Sequence, residues 1–379
     1  MNTRSPLAVL ASIVLLFVSL QVNAQGKVSF IEAQKLGNKI DSLAKAGQWQ
    51  KIETSFFDAD ELAERAAKGL KLTKDEKASF AAGLKEGLAE AGLFARIAEQ
   101  TTTFNFLRIK DNGGKYSILF RAEIASGGFN YFDFSIFKNK KGEVKVADLY
   151  TYTLVDYISN VIGNIMIAAM PDGFGALDKE GEIIIKTIKA MTKAKNEGKN
   201  LKVLEEYNKL PVHIKKQKVF LGFRVAAAQQ VSLEEYKLAL DEYFSLYPDE
   251  PGLNMMLMDR YFLDEDYEKA LICINKTDSL VGGDSYLEQY RGNIYTYLDD
   301  YEKAEASLKR FLTNFPKNAD AYPTYVSLLA ANGKYPLAVE TLKKWEKATG
   351  QNPLEFFSAD DFPDFKESAE YQGYLKERK

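Results

Sequence analysis

Hydrophobic and polar positions along the chain follow two different periods. From Val28 to Ala46 apolar residues recur at helical spacing, with Phe30, Ile31, Ala33, Leu36, Ile40, Leu43 and Ala44 on one broad face, which predicts an amphipathic helix. Trp49 and Ile52 continue this helix or start a short second one. Asp58 or Asp60 can cap a following helix that carries Leu62, Ala63, Ala66 and Leu70. Thr73 with Glu76 three residues later forms a capping box and opens a long helix through Leu84 and Leu88 toward Ile97. After Gln100 the period falls to two. Strand-like runs go from Thr102 to Lys110, Lys115 to Ala125, Phe129 to Lys138 and Glu143 to Thr153. The segments between them are rich in Asn and Gly, residues that tolerate the positive φ of hairpin turns.

The first part of the chain is therefore expected to be an α+β domain over 27–170, with helices first and then a four-stranded antiparallel meander. Its last element is an apolar linker helix from Val155 to Met170, closed by Pro171-Asp172-Gly173. This element order, with its aromatic strands, resembles the cystatin-like or NTF2-like α+β roll. Strands three and four carry large residues on both faces: Phe132, Phe134, Ile136 and Leu149 on one, and Phe129, Tyr131, Phe137, Val144 and Tyr150 on the other. A turn at Lys140-Lys141 would set Asp133 opposite Asp148, with Tyr131 opposite Tyr150. That arrangement is a candidate pocket of facing carboxylates, able to share a proton or hold a basic ligand. The competing reading is a different register, or carboxylates answered by a nearby lysine or arginine.

Beyond residue 176 helical periodicity returns with a longer repeat on top of it. Asp266-Tyr267-Glu268-Lys269-Ala270 recurs as Asp300-Tyr301-Glu302-Lys303-Ala304, 34 residues on, and more weakly as Lys334-Tyr335-Pro336-Leu337-Ala338. A fixed period of that length marks a stacked array of helix hairpins. Repeats start at Pro251, Ser285 and Ala319, and degenerate copies fall at about 217–250 and 183–216. Tyr267, Ala270, Tyr301 and Ala304 take packing positions between helices, and the neighbouring Glu and Lys face water. After Pro353, the segment from Phe356-Phe357 to Phe365 and then Ser368 to Leu375 reads as a capping helix for the last repeat, so 176–379 is expected to form an all-α helix-hairpin solenoid.

This region resembles the tetratricopeptide repeat (TPR). Gly292 and Tyr295 match the small and aromatic positions of the first helix, Ala304 and Leu308 those of the second, and Pro316 closes the copy. The resemblance implies a concave groove lined by the first helices. Carried onto this chain, the groove positions are Met255, Asp259, Phe262 and Leu263, then Tyr286, Gln289, Asn293, Thr296 and Tyr297, then Asp320 and Ser327. The set is aromatic and neutral-polar. It lacks the lysines that would clamp a peptide's terminal carboxylate.

Composition narrows the function further. The 379 residues are 46% hydrophobic and 27% charged, as in an ordinary folded chain. A net charge of −3 with interspersed lysines argues against nucleic acid. One histidine and one cysteine leave no multi-histidine metal site and no disulfide within the chain, and Cys273 is expected to be a buried, inert thiol. No phosphate loop, metal cluster or serine-nucleophile motif occurs, so no cofactor and no catalysis are expected.

Arg4, the apolar run from Pro6 to Leu20, and Val22-Asn23-Ala24 have the form of a secretory signal peptide over 1–24, cleaved after Ala24; retention as an anchor is the alternative. The expectation is an exported scaffold, periplasmic or extracellular and not inserted in the membrane after cleavage, that holds a protein, a peptide or a second copy of itself. The alternative is a small-ligand, hydrolase or isomerase site at Asp133 and Asp148.

Overall fold

The computed structural model describes residues 27–125, 127–169, 179–357 and 361–378. The leader expected over 1–24 and the Pro171-Asp172-Gly173 break lie outside the described residues. The chain divides into two compact units between Arg224 and Val225, inside the helix Lys218–Ala228. The break read from the sequence at Pro171 comes earlier.

The first unit opens with five helices: α1 (Phe30–Lys45), α2 (Trp49–Phe56), α3 (Ala59–Ala66), α4 (Lys74–Ala91) and α5 (Leu93–Gln100). Ser29 with Glu32, and Thr73 with Glu76, form capping boxes at α1 and α4, and Asp58 caps α3 by accepting from the amide of Glu61. The strands β1 (Thr101–Asp111), β2 (Tyr116–Ile124), β3 (Phe129–Lys138), β4 (Val144–Thr151) and β5 (Asp156–Tyr157) form one antiparallel sheet in the order of the chain. The sequence shows four of these strands. The fifth is only two residues long, too short to carry a period.

One sheet face packs on the helices through Phe104, Ile118, Phe120, Phe132, Phe134, Val146 and Leu149, against Leu36, Ile40, Ile52, Leu62 and Phe94. Phe104, Phe120 and Phe134 form a ring cluster, with centroids 4.7 Å apart between Phe104 and Phe120 and 4.8 Å between Phe120 and Phe134. The other face is buried as well: Leu119, Tyr131 and Tyr152 are almost fully covered. Ser135 pairs with Asp148 but Ile136 pairs with Val146, so Ala147 is an extra residue in β4. This bulge reverses the alternation. Val144, assigned by period to the face of Tyr150, instead packs against the helix-facing core.

After α6 (Ile158–Ala169) come α7 (Lys179–Asn196), α8 (Asn200–Asn208), α9 (Val212–Lys215) and α10 (Lys218–Ala228). In the second unit α11 (Leu233–Leu246) precedes three hairpins: α12 (Asn254–Leu263) with α13 (Tyr267–Val281), α14 (Glu288–Tyr297) with α15 (Tyr301–Asn314), and α16 (Ala321–Ala331) with α17 (Tyr335–Thr349). The second helices begin 34 residues apart because each hairpin uses the same turn. Glu265, Asp299 and Gly333 take left-handed φ of 59°, 55° and 67°. The next amide, of Asp266, Asp300 or Lys334, then donates back to the carbonyl of Tyr261, Tyr295 or Leu329 at 2.9 Å. One turn thus ends the first helix and starts the second.

Within the repeated motif, Asp266 and Asp300 cap α13 and α15 by accepting from the amides of Lys269 and Lys303. Each of those lysines also reaches its cap carboxylate at 2.6 Å and lies over the ring of Tyr261 or Tyr295. Ala270, Ala304 and Ala338 have no exposed surface, as small residues at a helix crossing must. Tyr301 departs from the expected packing role: it is 43% exposed and donates its hydroxyl to Asp299. Gly292 shows how close the helices run, since a Cβ there would lie 2.6 Å from Cγ of Leu308.

The array closes on Trp345, fully buried, stacked on Tyr322 and donating its indole N–H to Gln351. It is followed by α18 (Pro363–Glu367) and α19 (Ala369–Glu377), whose Phe365, Tyr371 and Tyr374 are buried. α19 packs on α17, in the capping place expected for it.

Candidate functional site

The first helices of two successive hairpins, with α11 before them, enclose a cleft of about 340 Å³. Leu233 and Tyr236 come from α11, Met258, Asp259, Phe262 and Leu263 from α12, and Tyr290, Asn293 and Ile294 from α14. Asp259 and Asn293 are 34 residues apart and so occupy the same position in consecutive repeats. Among the expected groove residues the cleft gathers Asp259, Phe262, Leu263 and Asn293.

The others lie elsewhere. Tyr297 is 55% exposed and stacks on Tyr267 with centroids 4.8 Å apart, while Phe262 meets both rings edge-on. Met255 and Gln289 are half-buried on the same helices but do not line the cleft. Tyr286 is not a groove residue. It belongs to a single 3-10 turn, Ser285–Leu287, ahead of α14, and is buried against Phe311 and Phe315. The helix starts at Glu288, so the expected second position of the repeat falls before it. Tyr236 and Tyr290 were absent from the expected set. Tyr236 stands on the helix preceding the first clear repeat, and its signal in the sequence is only that a period counted back from Ala270 meets a tyrosine instead of a small residue.

Polar groups in the cleft are few. The Tyr236 hydroxyl donates to Oδ2 of Asp259 at 3.1 Å. Among the described residues Asp259 has no other hydrogen-bond partner and no ion-pair partner. Burial among apolar side chains pushes its carboxyl up to about 6, against the smaller lowering effect of the tyrosine bond. The same burial, together with the adjacent carboxylate, raises the Tyr236 phenol. Asn293 Oδ1 is buried with no hydrogen-bond partner. The nearby cations are engaged: Arg260 with Asp241 and Asp264, and Lys237 with Asp264 and the carbonyl of Leu263.

The pair expected in the sheet is not formed. Asp133 lies opposite Tyr150, and Asp148 opposite Ser135. The bulge at Ala147 and a hairpin turn reset by Gly142 shift the register away from the one read at Lys140-Lys141. Asp133 is held by Lys110 at 2.9 Å, whose ammonium also reaches the Tyr152 hydroxyl at 3.4 Å. Burial opposes the charge on Lys110, but the facing Asp133 outweighs it and the lysine's affinity for its proton rises. Asp148 accepts from the hydroxyl and amide of Ser159 and from the amide of Leu149; burial nonetheless raises its pKa. Tyr131 is fully buried, and Tyr150 packs edge-on against Tyr152 and Tyr157. Each carboxylate thus has its own partner, and no shared-proton site exists between them. Among the described residues no group of three His, Cys, Asp or Glu side chains is placed to hold a metal ion, and no helix is long and apolar enough to cross a membrane.

No family model matches the chain. Among curated proteins it is 28% identical over 148 residues to the TPR repeat-containing protein YpiA of Bacillus subtilis (strain 168); the match covers 39% of this chain, which spans 33% of that relative's length. Among solved structures it is similar to MamA 41-end from Desulfovibrio magneticus RS-1, at 13% identity and a TM-score of 0.39, covering 46% of this chain and 97% of that one. Another MamA structure aligns at 14% identity and a TM-score of 0.37, over 44% of this chain and 92% of the other. The second unit thus repeats a helix hairpin every 34 residues, and over 148 residues the chain is similar to a TPR repeat-containing protein.

Proposed function

We propose that this chain is an exported scaffold, without catalysis of its own, whose repeats hold a protein or peptide partner along the groove of their first helices. The observation that carries the reading is the cleft between α11, α12 and α14: successive repeats bring aromatic and apolar walls together around two polar side chains with little internal use. Apolar clefts with a few convergent polar groups are where proteins take ligands. Repeat arrays present such surfaces in extended form. Export rests on the leader pattern alone, the apolar run from Pro6 to Leu20 followed by Val22-Asn23-Ala24.

The test is affinity capture from the extracytoplasmic fraction, comparing the wild-type chain with the Asn293→Ala/Tyr297→Ala variant. The same proteins recovered at the same yield by both would remove the groove from the reading. For export, N-terminal sequencing of the mature protein should begin at Gln25; a chain retained inside the cell with Met1 intact would overturn that part alone.

A further inference from the structure

Resting on the groove reading, we infer that the cleft is a receptor for a lysine side chain of the bound partner, with its ammonium on Asp259. Three features point to that chemistry. Asp259 is the only carboxylate lining the cleft, and it has no cation of its own among the described residues. Only its Oδ2 is engaged, by Tyr236, and Oδ1 is left to accept. A carboxylate kept in an apolar cleft with one neutral donor and no cation is unfavourable in the free protein, and a cationic guest lowers the cost.

The walls fit an alkylammonium. Leu233, Met258, Leu263 and Ile294 supply apolar surface for a methylene stem, and Phe262 and Tyr290 add aromatic rings, a group that attracts cations, to the lining. Asn293, one repeat on from Asp259, brings an amide oxygen that no other group uses. Lysine suits this donor set better than arginine, whose planar fork calls for a carboxylate free at both oxygens, whereas an ammonium is a compact charge satisfied by separate acceptors. Acetylation of that lysine would remove the charge and so the anchor.

The experiment uses the full chain with ¹³C-methyl methionine, following the Met258 signal as Nα-acetyl-lysine methylamide, its Nε-acetylated form and the norleucine analogue are titrated in turn. The lysine compound should bind roughly tenfold more tightly than either neutral one. In Asp259→Asn, close in shape and able to keep the Tyr236 bond, the preference should fall to within about twofold. Equal binding of the three compounds, no movement of the Met258 signal with any of them, or an undiminished preference in Asp259→Asn would each overturn the assignment. Partner capture separates this inference from the reading beneath it. Partners lost with Asn293→Ala/Tyr297→Ala but retained by Asp259→Asn would remove the lysine receptor and leave the groove. Partners retained by both variants would remove the groove as well.

Discussion

Asp259 holds its charge at a cost in stability that depends on pH. Its folded pKa of about 6 lies above the ordinary 3.8, so the folded state favours the neutral acid. The stability this contributes is fully present below about pH 4 and is lost as pH rises through 6. The polar side chains that line the cleft with it are Tyr236 from α11 and Tyr290 and Asn293 from α14. Asp259→Asn is therefore expected to stabilise the second unit at pH 7.5, by up to about 3 kcal/mol, and to leave it unchanged at pH 4. Thermal unfolding at the two pH values checks this; an Asn variant less stable at both would show that the carboxylate is well accommodated. The Lys110–Asp133 pair behaves in the opposite way. Both side chains are largely buried, so Asp133→Asn alone strands the lysine and should cost on the order of 3 kcal/mol. Replacing both residues, Lys110→Met with Asp133→Leu, should recover most of that loss in urea titrations. A double variant as weak as the single one would mean the pair does more than answer its own charges.

The hairpin turn is a shared element whose left-handed position holds Glu265, Asp299 or Gly333. Gly333 meets the left-handed geometry without strain, whereas Glu265 pays for its Cβ at the same place. Glu265→Gly should gain about 0.5–1 kcal/mol, and Gly333→Glu should lose a similar amount, as read by chemical denaturation. The helix crossing beneath the turn is less forgiving. Gly292→Ala drives a methyl into Leu308 and is expected to cost about 1–3 kcal/mol, partly restored by adding Leu308→Ala; full stability in the single variant would mean the crossing can widen freely.

These elements also show where a sequence is readable. The period of 34 and the buried alanines follow from local chemistry that each residue carries with it, so the hairpins and their order could be read directly; the capping by Asp266 and Asp300 emerges only in the structure. The strand meander and most helices of the first unit were legible for the same reason, but the long helix expected from Thr73 toward Ile97 breaks at Gly92, whose positive φ of 62° separates α4 from α5. The register of β3 with β4 was not, because one extra residue at Ala147 changes every pairing beyond it and leaves no mark on composition. Tyr286 misled for a related reason. A 3-10 turn of three residues moved the helix start, and a position counted as groove became core. Tyr236 was missed because the cleft draws on the helix before the first well-formed repeat, where the pattern has already faded.

At the scale of the whole molecule, a repeat array depends on how its end is closed. Trp345 is covered from one side by Tyr322 and from the other by Phe356 and Phe357, residues that follow the last hairpin. Ending the chain at Gly350 removes that cover together with α18 and α19. The truncated protein should melt at lower temperature, associate in size-exclusion chromatography and show red-shifted tryptophan emission. Emission and melting unchanged from the full chain would mean that the closing segment is not needed to finish the array.

Cys273 lies on α13, 4% exposed, and burial pushes its thiol up to about 11. As the chain's one sulfhydryl, it makes the repeat unit self-reporting. An aromatic disulfide reagent can reach the sulfur only when α13 lifts from its neighbours, so the colour released over time counts those openings in an otherwise unlabelled protein. A partner seated against α12 should slow that clock, which gives a way to detect an unknown guest before anything is known of its identity.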